Sequence, residues 1–195
     1  MMKMKERVIL ASSSPRRKEL LKLVGIEPEI IAPRADEKRR QDESVEAFLK
    51  RVTLAKGDSV YRHDFYEAVL ISSDTIVLLA DRVIGKPETK AEARAIMEAL
   101  ADNVHEVWTG VGLFFQGEKY YDYARTRVCF GPIARPELDF YMENEDYMDK
   151  AGAYAIQGKA SVFIERIDGC FFNVMGFPLN LFFNMLKKIG LNIYS

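Results

Sequence analysis

The 195-residue chain carries 28 Lys and Arg against 29 Asp and Glu, a formal net charge of −1, with 48% hydrophobic and 29% charged residues. That balance is ordinary for a globular protein and excludes a bulk nucleic-acid or membrane-surface binder, which would need the whole-protein field to steer it. The length suits one domain, or two tightly joined lobes, and no apolar stretch approaches a membrane span. The charged opening Met1-Met2-Lys3-Met4-Lys5-Glu6-Arg7 runs directly into a strand, which argues against a secretory leader. Cys129 and Cys170 belong to no metal-ligand spacing, so a reducing, cytoplasmic setting is expected. His63 and His105 cannot build a zinc site unaided. A catalytic metal would need hard oxygen ligands, which points to magnesium or manganese.

In chain order, Val8 to Leu10 read as a buried strand. Ser14 is a good N-cap and Pro15 suits the first helical position, so a helix should begin there and stop at Gly25. Glu29 to Ile31 looks like a second short strand, and the mixed-charge run from Asp36 to Glu43 like a solvated loop. Ser44 can cap a helix through about Tyr61, with Val45, Phe48, Leu49 and Val52 as its apolar stripe. Ala68 to Ser72 and Ile76 to Leu79 are extended, turning at Ala80-Asp81 into Val83-Ile84. Thr89-Lys90-Ala91-Glu92 is a capping box opening another helix. Two long extended runs, His105 to Phe115 and Lys119 to Phe130, are joined as a hairpin. A helix from Pro136, a strand from Ser161 to Ile167 and a last helix from Pro178 to Ile189 complete the chain. The pattern predicts an α/β fold with an elongated mixed sheet and flanking helices, in a single domain spanning 1–195.

Five places break the ordinary pattern of core and surface. At the first turn, Ser12, Ser13 and Ser14 precede a helix whose opening residues are Arg16, Arg17 and Lys18, where the helix dipole already places positive charge. Either these cations point into solvent, or an anion such as phosphate fills the gap. At Ser72-Ser73-Asp74-Thr75, polar residues stand between two apolar strand segments, as a bulge at a sheet edge or as strand ends facing a ligand. Asp74 could accept a proton from water, hold a divalent cation, or merely satisfy turn N–H groups. Lys86, between Gly85 and Pro87, could reach a phosphate as a point charge or sit in a common surface turn. Gln157 lies in a run of small residues and offers an amide to a base edge. Asp36-Glu37 could coordinate metal or be a solvated acidic pair.

Together these pieces resemble the Maf family of nucleoside triphosphate pyrophosphatases along nearly the whole chain. The resemblance rests on Leu10-Ala11-Ser12-Ser13-Ser14-Pro15-Arg16-Arg17, Asp36-Glu37, Ser73-Asp74-Thr75 and Gly85-Lys86-Pro87. It continues through His105-Glu106-Val107-Trp108-Thr109-Gly110-Val111, Asp149-Lys150-Ala151-Gly152-Ala153-Tyr154 with Ile156-Gln157-Gly158, and Asn173-Val174 with Gly176-Phe177-Pro178-Leu179. It implies hydrolysis of a nucleoside triphosphate to the monophosphate and pyrophosphate, aided by Mg2+ or Mn2+. It also implies a fold like the inosine triphosphate pyrophosphatases, with two lobes around a central cleft, and a homodimer.

Carried over by position, the resemblance makes Asp74 the proton acceptor and links Arg16, Thr75 and Gln157 to substrate choice. Ser12, Ser14, Arg16, Arg17, Lys56 and Lys86 would bind phosphate, with Glu37 and Asp74 near the metal. The Ala-Gly-Ala-Tyr and Ile-Gln-Gly blocks look like the subgroup acting on dTTP and UTP, and modified pyrimidine nucleotides could also fit. Ser72-Ser73 departs from the family's usual glycine–alanine pair. Expected partners are the nucleotide substrate, with no nucleic-acid polymer and no membrane. The alternative function is a nucleotide-binding regulatory protein linked to septation, without essential turnover.

Overall fold

The computed structural model describes residues 6–193, so Met1 to Lys5 of the charged opening lie outside the described residues. Four apolar residues in a row make β1 (Val8–Ala11) a strand buried on both faces. It pairs in parallel with β2 (Glu29–Ile31), Ile9 opposite Glu29, and with β3 (Val69–Leu79), Ala11 opposite Ser72. Between β1 and β2 runs α1 (Pro15–Leu23), which buries Leu20 and Leu21. It ends where Gly25 takes a φ of 81° and donates to the Lys22 carbonyl at 3.0 Å.

Ser44 caps α2 (Val45–Asp58) as expected, its hydroxyl accepting from Ala47 N at 3.1 Å. The helix stops three residues short of Tyr61 because the N–H groups of Val60 and Tyr61 both turn back to the Gly57 carbonyl. β3 is one continuous strand, which corrects the expected polar interruption. Ser72, Ser73, Asp74 and Thr75 lie inside it, with β5 (Val104–Phe115) as the neighbouring strand on one side. On the other side the β1 ladder ends at Ser72, and the next ladder, with Arg82–Ile84, begins only at Val77.

β4 (Arg82–Ile84) folds back antiparallel on β3, and α3 (Lys90–Leu100) follows. Thr89 Oγ1 accepts from Glu92 N at 3.1 Å, while Glu92 Oε2 accepts from Glu88 N at 2.8 Å, one residue earlier than a full capping box requires. Gln116 and Gly117, both left-handed at φ 51° and 82°, make the tight turn from β5 into β6 (Glu118–Phe130). After α4 (Arg135–Asn144), the expected Ser161–Ile167 strand is shifted. Residues Lys159–Phe163 form a 3-10 turn, and β7 is Ile164–Asp168, antiparallel to β6. A short helix that the sequence did not announce, α5 (Phe171–Val174), precedes α6 (Leu179–Lys188). The result is the expected mixed α/β architecture: seven strands in the order β2-β1-β3-β5-β6-β7, with β4 attached to β3.

The chain divides into two compact units. The first contains the residues up to Asp74, Thr109–Ala124 and those from Gly176 onward. Its core gathers Ile9, Ala11, Val60, Phe65, Leu70 and Phe114. Gly57 is required here, because a Cβ would lie 2.1 Å from the Phe114 ring. The second unit contains Thr75–Trp108 and Arg125–Met175, with a core around Val77, Met97, Leu100, Phe130, Tyr141 and Phe163. No helix among the described residues is long and apolar enough to cross a membrane.

Candidate active site

In the first unit the β1–α1 turn brings hydroxyls and cations together. Ser12 is buried, and its Oγ accepts from Ser14 N at 3.1 Å and from Arg17 Nη1 at 3.3 Å. Ser14 holds the N-cap position by its backbone, but its hydroxyl makes no capping bond. Arg17 also donates from Nε to the Gly176 carbonyl at 2.9 Å, so its guanidinium is anchored and not trailing in solvent. Burial pulls the Arg17 pKa down, while the carboxylates of Asp74 and Glu37 push it up. No acidic residue stands in the first turn of α1 to balance Arg16 and Arg17.

Lys56, on the last turn of α2, is the centre of the site. It is 7% exposed, and its Nζ donates to Asp74 Oδ1 at 2.6 Å and lies 3.0 Å from Glu37 Oε1. Asp74 is equally buried, while Glu37 is half exposed on the loop before α2. That loop is better organised than its mixed charge suggested. Arg51, one and a half turns before Lys56, holds Glu43 through two bonds at 2.7 and 2.9 Å. It also donates to the carbonyls of Asp36 at 3.1 Å and Lys38 at 2.8 Å. One helix therefore supplies both the ammonium between the two carboxylates and the fork that fixes the segment carrying Glu37. The sequence signal for Arg51 was slight, since two of these four bonds go to backbone carbonyls and the other two to a carboxylate eight residues away.

Alternation along β3 puts Ser72 and Asp74 on one face, Ser73 and Thr75 on the other. The hydroxyl added by Ser72 fits because its neighbour on β5 is glycine: a Cβ on Gly112 would meet Ser72 Oγ at 2.5 Å. A Cβ on Gly110 would likewise meet Thr53 Oγ1 at 2.5 Å. The hydroxyls of Thr53, Ser72 and Ser73 are buried with no hydrogen-bond partner among the described residues.

The remaining candidates, Thr75, Lys86 and Gln157, belong to the second unit. Lys86 and Gln157 are both exposed, Thr75 partly so. Their loops are tied to each other, since Gly152 N donates to the Gly85 carbonyl at 3.0 Å. The approach to Gln157 passes through two consecutive left-handed residues, Gly152 at φ 75° and Ala153 at φ 57°. Tyr141 holds them, its hydroxyl donating to the Ala153 carbonyl at 2.8 Å. Next along the chain, Tyr154 shares a 2.7 Å hydrogen bond with His105 Nε2. Both tyrosines escaped the sequence reading as positioning groups because an apolar-face tyrosine looks like ordinary core.

Against this geometry, a family model for Maf-like proteins matches residues 7–189. The chain belongs to the Maf family. Among the family's curated members it is 36% identical over 187 residues to a dTTP/UTP pyrophosphatase of Bacillus anthracis, covering 96% of this chain and 97% of that one. It is 37% identical over 185 residues to a dTTP/UTP pyrophosphatase of a Geobacillus species, covering 95% and 99% respectively. Among solved structures it is similar in fold to the Ham1 protein of Staphylococcus aureus, with a TM-score of 0.51 and 12% identity over 94% of this chain and all of that one.

Proposed function

We propose that this Maf protein hydrolyses dTTP and UTP, and modified pyrimidine triphosphates of similar shape, to the monophosphate and pyrophosphate. The observation that carries the reading is the convergence of Lys56, Asp74 and Glu37 beside the arginines of the β1–α1 turn. A triphosphate brings about four negative charges, so its hydrolysis depends on positioning and charge neutralisation. Ser12, Ser14, Arg16 and Arg17 bind phosphate oxygens, with Lys56 and Lys86 as further point charges. Asp74 orients the attacking water and accepts its proton. Arg16, Thr75 and Gln157 set substrate choice. The Gln157 amide matches uracil and thymine, whose N3–H is flanked by two carbonyls.

Glu37 and Asp74 present hard oxygens to a single point, the donor type that Mg2+ or Mn2+ takes together with substrate phosphates. Bound there, the cation would neutralise charge on the departing pyrophosphate. Among the described residues there is no group of three or more His, Cys, Asp and Glu side chains placed to hold a metal, so phosphate oxygens would complete the cation's shell. A homodimer and a cytoplasmic location, which suits the free thiols of Cys129 and Cys170, belong to the same reading. The relatives' names favour turnover over a septation-linked binding role.

The test is incubation with a panel of nucleoside triphosphates and Mg2+. dTTP and UTP should give monophosphate and pyrophosphate in equal amounts, and Gln157→Glu should flatten that base preference. Orthophosphate with a diphosphate left behind would place attack at the γ-phosphorus and overturn the mechanism.

A further inference from the structure

The ammonium of Lys56 stands where two carboxylates converge, and that placement has a cost for any other cation. Asp74 Oδ1 and Glu37 Oε1 are each within 3.0 Å of Nζ, so the point they share is already filled by positive charge. Lys56 and Asp74 are buried, which strengthens their attraction relative to a surface pair. Two carboxylates thus face two side-chain cations, Lys56 and Arg17, with Arg16 adding a third beside Arg17. A free divalent ion meets a set of oxygens whose charge is already balanced. A triphosphate reverses this, because its anionic oxygens give Lys56 a better destination at the end of a flexible four-carbon stem. The backbone at that position does not need to move. It is held by α2, and Ser59 Oγ donates to the Lys56 carbonyl at 2.8 Å.

We infer that Lys56 is the resident counterion of the Glu37–Asp74 pair, so that the free protein excludes divalent cations and admits one only with a triphosphate that draws Lys56 away. The inference rests on reading Glu37 and Asp74 as the cation's ligands. It gives Lys56 two successive partners, carboxylate before substrate arrives and phosphate afterwards.

The experiment follows Mn2+ binding by the EPR signal of the free aqueous ion. Wild-type protein alone should leave that signal undiminished. Protein with an α,β-imido UTP analogue should deplete it beyond what the analogue chelates by itself. Lys56→Met should bind Mn2+ without nucleotide, by at least about tenfold more tightly than wild type, because removing the ammonium uncovers both carboxylates. Lys56→Arg, which keeps the charge, should not. Wild type binding Mn2+ equally well with and without the analogue would overturn the inference, and so would a folded Lys56→Met that binds none. The wild-type outcome that overturns the inference can be read even if Lys56→Met does not fold, and Lys56→Gln, shorter and uncharged, then takes the place of Lys56→Met. Failure to release pyrophosphate from dTTP or UTP would instead sink the proposed function and leave these binding results untouched.

Discussion

Replacing Asp74 by its amide removes two things at once: the negative charge opposite Lys56, and the proposed proton acceptor on β3. Asp74→Asn preserves size, so the fold should survive. Turnover of dTTP should fall by at least about a hundredfold, the scale of losing a general base. Steady-state kinetics with circular dichroism as the control checks this. A near-normal rate would shift the chemistry to Glu37. His105 makes a different prediction. It is 1% exposed, and burial pulls its pKa from 6.5 down to about 4. The unfolded imidazole takes up a proton near 6.5, whereas the folded one refuses it until about 4. Stability is therefore fully present above that window and is lost as pH falls through it, by up to about 3 kcal/mol. Glu43, drawn down to about 2 by Arg51, acts in a lower window: its contribution holds above 4.5 and fades only as pH approaches 2. Urea midpoints measured from pH 7.5 to 4.5 should decline for wild type and decline less for His105→Asn. Equal slopes would remove His105 as the cause. At this scale Asp74 stood out in the sequence because it lies in a polar break between two apolar strand segments, which left its role open between proton acceptor, cation ligand and partner of turn N–H groups. Arg51 did not, because half of its bonds go to carbonyls that every residue carries and the rest to a carboxylate eight residues away.

At the scale of elements, the signals that survived were local ones. Ser44, Thr89 and Gly25 act on neighbours within four residues, and the structure realises each of them. What failed depended on distant partners. Ser72 to Thr75 read as an interruption because polar residues in a row suggest solvent. They continue as strand because β5 runs beside β3, with Gly112 leaving room for the Ser72 side chain. Likewise α5 could not be foreseen. The Asn173 amide that fixes it donates to the Val107 carbonyl and to Thr126 Oγ1, both at 2.9 Å and both far away in sequence. The left-handed pair Gly152-Ala153 yields a test with two opposite signs. Tyr141→Phe leaves the Ala153 carbonyl without its 2.8 Å donor and should cost about 1–3 kcal/mol. Ala153→Gly relieves a left-handed alanine and should recover about 1 kcal/mol of strain, less the extra chain entropy of glycine. Urea unfolding of both variants measures this. A Tyr141→Phe midpoint equal to wild type would show that the hydroxyl does not hold the loop.

At the scale of the whole molecule, the sequence announced an α/β chain with its candidate residues in separate blocks. It did not show how those blocks divide. The cradle of Ser12 and Arg17, with Glu37, Lys56 and Asp74, falls in the first unit, and Thr75, Lys86 and Gln157 in the second. One of the four places where the chain changes unit lies between Asp74 and Thr75, two adjacent residues of one strand. Fold likeness at 12% identity to Ham1 shows how little of the fold depends on particular side chains.

The Arg17 bond to the Gly176 carbonyl ties the start of the chain to its final segment. Domains emerging from a ribosome usually complete themselves from the N-terminus forward. Here the first unit includes the residues from Gly176 onward, so it remains unfinished while every residue of the second unit has already been made. During synthesis the β1–α1 turn is consequently completed only after every residue of the second unit has been made. A nascent chain arrested before Gly176 would carry Arg17 without its anchor.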